Sequence, residues 1–81
     1  MKFSRHFYDY STVIRDYLTE EMCIHTIENH VHKETQEDGR IRYWSYIEKY
    51  NRYLRVVVEN DGETILTAHF DRDFVKRRIE S

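Results

Sequence analysis

The chain has no proline, two glycines and one cysteine in 81 residues. So little punctuation excludes a collagen-like or linker-rich polypeptide, and the lone Cys23 excludes an internal disulfide. The fold must therefore rest on packing or on a partner chain. No apolar run approaches the roughly 18 residues of a membrane span. The start, Met1-Lys2-Phe3-Ser4-Arg5-His6, lacks the apolar segment of a signal peptide, so a cytoplasmic location is expected, with no membrane partner. Positive charge is not in excess either, with 13 Lys and Arg against 15 Asp and Glu. A nucleic-acid-binding role would therefore have to rest on a local cluster of cations. What the chain does have is seven Tyr, four Phe and one Trp within a 40% hydrophobic composition, which is that of a folded domain. At 10.1 kDa the scaling of surface with mass buries about 64% of the unfolded surface, enough for one modest core.

Helical spacing gives way to strand-like alternation near residue 30 with no linker between, so the expectation is a single α+β domain over 1–81. Val13, Ile14, Tyr17 and Leu18 recur at helical spacing behind Ser11, a candidate cap, and predict a helix over 11–18. Thr19-Glu20-Glu21 is a second start signal, and Cys23, Ile24 and Ile27 supply an apolar stripe ending near Asn29. From Val31 onward the two glycines, in Gln36-Glu37-Asp38-Gly39-Arg40 and Glu59-Asn60-Asp61-Gly62-Glu63, read as hairpin turns. With a third connection at Lys49-Tyr50-Asn51 they predict a four-stranded antiparallel meander over 31–36, 40–48, 52–59 and 63–70. Both helices should cover one face of that sheet. A short C-terminal helix or tail should follow, with Asp71 as its cap.

Three-residue loops at both Asp-Gly turns predict the pairs His32–Trp44, Val58–Thr64 and Tyr53–His69. A connection at 49–52 adds Ile47–Leu54 and Tyr43–Val58. This register gathers Ile41, Tyr43, Ile47, Leu54, Val56, Val58, Leu66, Ala68 and Phe70 on one face as the core, where a one-residue slip would scatter them. The opposite face carries His32, Glu34, Arg42, Trp44, Tyr46, Glu48, Tyr53, Arg55, Val57, Ile65, Thr67 and His69.

An open face of that composition offers π-surfaces for bases at Trp44, Tyr46 and Tyr53, and guanidinium forks for phosphate at Arg42 and Arg55. The plainer reading is a solvated sheet surface, with Arg42 paired to Glu34 or Glu59. RNA cleavage without a metal needs a base for the ribose 2′-hydroxyl, a cation for the phosphorane and an acid for the departing 5′ oxygen. His69, Tyr53, Arg55 and Arg72 supply those residue types, and Thr67, His32 and Tyr46 share the face. Cys23, His25, His30 and His32 match no zinc spacing, so neither metal nor cofactor is expected.

The stretch Arg52-Tyr53-Leu54-Arg55-Val56-Val57-Val58, a turn, Thr64-Ile65-Leu66-Thr67-Ala68-His69-Phe70 and a basic tail resembles small bacterial toxins of the RelE/BrnT, barnase-like ribonuclease superfamily, over roughly 22–78. The resemblance implies a metal-independent endoribonuclease acting on messenger RNA and neutralised by a small antitoxin protein. It places Arg55 and His69 at catalytic positions, Arg72 and Lys76 in the basic tail, and Trp44 as a base-stacking platform. The chain departs from that pattern in its acidic balance and in lacking a lysine-rich first helix. The alternative is a non-catalytic interaction module, a homodimer or a regulatory or phage-type partner protein, that uses the same aromatic face. A small-ligand binder is a third reading, which so thin a core disfavours.

Overall fold

Gly39 has φ +91° and Gly62 φ +77°, backbone that a residue without a side chain reaches most readily, and the chain reverses at both. The computed structural model describes residues 2–9 and 20–74. In order these form β1 (Lys2–Phe3), α1 (Arg5–Phe7), α2 (Glu20–Glu28), β2 (His32–Thr35), β3 (Ile41–Ile47), a 3₁₀ turn (Glu48–Tyr50), β4 (Arg52–Val58), β5 (Thr64–Phe70) and α3 (Arg72–Phe74). The chain is α+β, as its patterning indicates.

The sheet has five strands in the order β1-β5-β4-β3-β2, not the four expected. The added strand, β1, runs parallel to β5, with the Lys2 N–H donating to the Glu63 carbonyl at 2.9 Å and the Ser4 N–H to that of Ile65 at 3.0 Å. Ser4 then accepts the Phe7 N–H at 3.0 Å and donates its hydroxyl to the Leu66 carbonyl at 3.1 Å, so one residue both caps α1 and fastens it to the sheet. Two residues of strand are too few to show a periodicity, which is why the pattern missed β1. The helix expected over 11–18 lies outside the described residues. The second expected helix is α2, but its buried positions are Cys23 and Thr26, flanked by the partly buried Met22 and Ile27. Thr26 reaches this face because its hydroxyl donates to the Met22 carbonyl at 2.9 Å.

The first hairpin follows the expected register: the Gln36 N–H donates to the Arg40 carbonyl at 2.7 Å, His32 faces Trp44 and Glu34 faces Arg42. The other two connections differ. The β3–β4 link is the 3₁₀ turn closed by Asn51 at φ 54°, so Leu54 faces Ser45 rather than Ile47, and Tyr43 faces Val56 rather than Val58. A shift of two residues leaves every side chain on its expected face. At the second Asp-Gly turn the loop holds four residues, closed by the Glu59 N–H on the Thr64 carbonyl at 2.7 Å. The Asp61 carboxylate fixes it, accepting the Glu63 and Thr64 N–H groups at 2.9 Å each and the Thr64 hydroxyl at 2.6 Å. A bulge then follows, since Val57 faces Thr67 but Val58 faces Ile65. Loop and bulge each displace the register by one residue. His69 therefore faces Arg55, not Tyr53, and Ile65 replaces Leu66 on the core face.

That core consists of Phe7, Cys23, Ile47, Leu54, Val56, Val58, Ile65 and Ala68. Burial, with a smaller contribution from nearby Glu20, pushes the Cys23 thiol up to about 12. No helix among the described residues is long and apolar enough to cross a membrane.

Candidate functional site

The second face of the sheet is organised in rows across the strands. Glu34, Arg42, Val57 and Thr67 form one row, and His32, Trp44, Arg55 and His69 form the next. Tyr46 and Tyr53 are paired in the row beyond. Directly opposed residues on one face have Cβ atoms about 4.5–5.5 Å apart. Arg55 and His69 are thus adjacent, with His69 exposed and Arg55 half-buried. The Thr67 hydroxyl and His69 Nε2 are hydrogen-bonded at 2.9 Å, a contact that fixes the imidazole two residues along the same strand.

The face is not open throughout, which corrects the sequence-based picture. After β5 the chain turns back over it, with the Asp71 N–H donating to the Tyr53 carbonyl at 2.9 Å, and α3 lies across the rows. Phe74, 2% exposed, stacks on Trp44 with ring centroids 5.1 Å apart and planes at 16°. It also approaches Tyr53 at 4.9 Å and His32 at 5.8 Å. Trp44 is 3% exposed and is no open stacking platform. Its Nε1–H donates to Asp71 Oδ2 at 3.0 Å. His32 is likewise drawn into packing, 5.3 Å from the Trp44 ring and with Nε2 3.1 Å from Glu34 Oε2. The aromatic content that suggested stacking on bases instead builds a second, smaller apolar cluster.

Asp71 holds this strap. Its Oδ1 accepts the N–H groups of Asp73 at 3.1 Å and Phe74 at 3.2 Å, the capping role that its position suggests. Its Oδ2 lies 4.0 Å from Arg55 Nη1. Burial pushes the Asp71 carboxyl up, but the Trp44 N–H, the Arg55 charge and the two backbone N–H groups outweigh it and hold the group below the usual range. Arg55 Nε is buried and its N–H finds no acceptor among the described residues.

Of the residues singled out in the sequence, Arg55, His69 and Thr67 come together, and Arg42 stands diagonally across the sheet from Arg55. Tyr53 lies one row from His69 instead of opposite it, its ring against Tyr46 at 5.1 Å. Tyr46 is 38% exposed and gives its hydroxyl to the Asn51 side-chain carbonyl. Arg72 is exposed at the start of α3, where it lines a concavity of about 200 Å³ with Arg52 and Tyr53. Lys76 lies outside the described residues. Sequence reasoning saw Asp71 only as a cap and did not single out Phe74; an aspartate cap three residues before an aromatic was the available signal. No family model, curated protein or solved structure matches the chain.

Proposed function

We propose that this chain is an endoribonuclease of the toxin type, cleaving messenger RNA by attack of a ribose 2′-hydroxyl on the adjacent phosphate, without a metal. In this reading His69 takes the 2′-hydroxyl proton and the 2′ oxygen bonds to phosphorus. Arg55 balances the charge that builds on the phosphorane oxygens. Tyr53, in the row on the other side of Arg55 from Thr67, gives a proton to the departing 5′ oxygen. The products are a 2′,3′-cyclic phosphate and a free 5′-hydroxyl. Arg42 and Arg72 contact flanking phosphates, and a small antitoxin protein would silence the activity by covering the same face. The observation that carries this reading is the direct cross-strand pairing of Arg55 with His69, the latter exposed and oriented by Thr67.

The test is incubation of purified protein with end-labelled single-stranded RNA in the presence of a chelator, beside His69→Ala. Cleavage to 2′,3′-cyclic ends, lost in the variant, is expected. Intact RNA with folded wild-type protein would refute the proposal.

One observation favours the interaction module. β2 is an outer strand of the sheet and is preceded by Val31, an aliphatic side chain 62% exposed. A partner strand added there would bind with little dependence on salt, whereas phosphate binding weakens steeply as salt rises.

A further inference from the structure

Arg55 is held in an unusual way for a half-buried arginine. A guanidinium has five N–H donors in a rigid fork, and a buried arginine normally spends them on acceptors that fix its plane. Among the described residues Nε is buried without an acceptor, and the group's ion pair is Nη1 to Asp71 Oδ2 at 4.0 Å, a distance at which charge steers but a direct hydrogen bond does not form. Asp71 itself is tightly fixed. Its side chain is only 11% exposed, its N–H is bound to Tyr53, and its two oxygens accept from Trp44, Asp73 and Phe74. A fixed carboxylate thus stands over a guanidinium for which the described residues supply no hydrogen-bond acceptor at Nε, one strand from an exposed histidine.

We propose that Asp71 is a positioning residue, its fixed carboxylate holding the Arg55 guanidinium beside His69 in the orientation that a phosphorane requires. The inference rests on the ribonuclease reading and adds to it a residue that touches no substrate. It has a distinctive consequence. The carboxylate opposes the negative charge of a bound RNA phosphate as well as orienting the arginine, so neutralising it acts oppositely on binding and on turnover. RNA should bind no more weakly, while the freed guanidinium spends less time where the transition state needs it. Misplacement of a catalytic group by about an ångström costs up to about a hundredfold in rate.

The experiment compares wild type, Asp71→Asn and Asp71→Glu, each shown to be folded by circular dichroism at the assay temperature. Two readouts are taken: single-stranded RNA cleavage resolved into kcat and KM, and the NMR signal of the Arg55 Nε–Hε pair. For Asp71→Asn, kcat is expected to fall about tenfold or more with KM unchanged or lower, and the Arg55 signal to show faster side-chain motion. Asp71→Glu, which keeps the charge, should recover part of both. A purely structural role would lower the melting temperature while leaving kcat of the folded protein and the Arg55 signal where they were, and would overturn the proposal. If wild type cleaves nothing, the ribonuclease reading fails by itself. The Arg55 signal then still decides whether Asp71 orders that side chain, and an unchanged signal in Asp71→Asn refutes the positioning role.

Discussion

Truncation of Phe74 to alanine probes whether α3 covers the second face. The ring is 2% exposed and packs on Trp44, Tyr53 and His32. Burying an aromatic ring and then removing it costs about 3–5 kcal/mol. The lower end of that range is taken here, because the Phe74 ring packs on one side only, against the outer surface of the sheet, and its neighbours Trp44, Tyr53 and His32 can close part of the space left behind. A loss of about 3 kcal/mol in a domain of this size lowers the melting temperature by roughly 12–24 °C. Trp44 is the one tryptophan of the chain, so its fluorescence reports this site alone. With its ring 3% exposed and its N–H bound to a carboxylate, it should be poorly quenched by acrylamide in wild type. In Phe74→Ala the folded-state emission should move to the red and quenching should rise. Urea titration followed by circular dichroism, with quenching measured below the transition, checks both. A cost under about 1 kcal/mol with Trp44 still protected would refute the covering role of α3.

Two further outcomes follow from the turns and the strap. Gly39→Ala should destabilise more than Gly62→Ala, since both take left-handed backbone at about 1–2 kcal/mol for a residue with a Cβ, but only at Gly39 would that atom meet another, Asn60 Cβ at 3.0 Å; equal urea midpoints for the two variants would contradict this. Acid should weaken the fold through Asp71, whose carboxyl is held below its ordinary value. The stability it contributes is complete above the ordinary aspartate range near pH 4 and is lost as pH falls through the lower folded value. Urea midpoints from pH 6 to pH 2 should therefore fall less steeply for Asp71→Asn than for wild type, and parallel curves would count against the carboxylate's role.

Much of the architecture was legible because alternation is a strong signal. Leu54, Val56 and Val58 could lie only on one face, and Gly39 after Asp38 fixed the first hairpin to the residue. The second hairpin departs from its expected register because an Asp-Gly pair does not distinguish a three-residue loop from a four-residue one. The side-chain bonds of Asp61 that select the longer loop depend on Thr64, beyond the turn itself. The bulge that exchanges Leu66 for Ile65 is invisible to patterning, since both residues are apolar. For the site, residue types and faces were readable while exposure was not. Whether Trp44 faces water or Phe74 depends on a chain reversal after β5, and hydrophobic periodicity carries no signal for the direction in which a chain leaves a strand.

The acidic balance of the chain need not oppose a phosphate-directed site, because much of the negative charge is gathered in two turns at one end of the sheet. Glu37 and Asp38 lie in the β2–β3 turn, and Asp61 and Glu63 in the β4–β5 turn with Glu59 beside it. The two turns meet at one end of the sheet, where a Cβ on Gly39 would touch Asn60. Part of that negative charge is already matched locally, Arg40 Nε standing 2.8 Å from Glu59 Oε1 and its Nη1 3.6 Å from Asp38 Oδ2. Arg55 is four residues down β4 from Glu59, and at about 3.3 Å per residue the separation is about 13 Å. Screening at physiological ionic strength acts over about 8 Å, so the acidic end is largely hidden from a phosphate at Arg55. What such a phosphate meets is the local set of Arg42, Arg55 and His69, with the Asp71 carboxylate 4.0 Å from Arg55 and Glu34 facing Arg42 but engaged with His32. The net charge of −2 is a sum over all 81 residues, and the field at one place on the sheet does not follow from it.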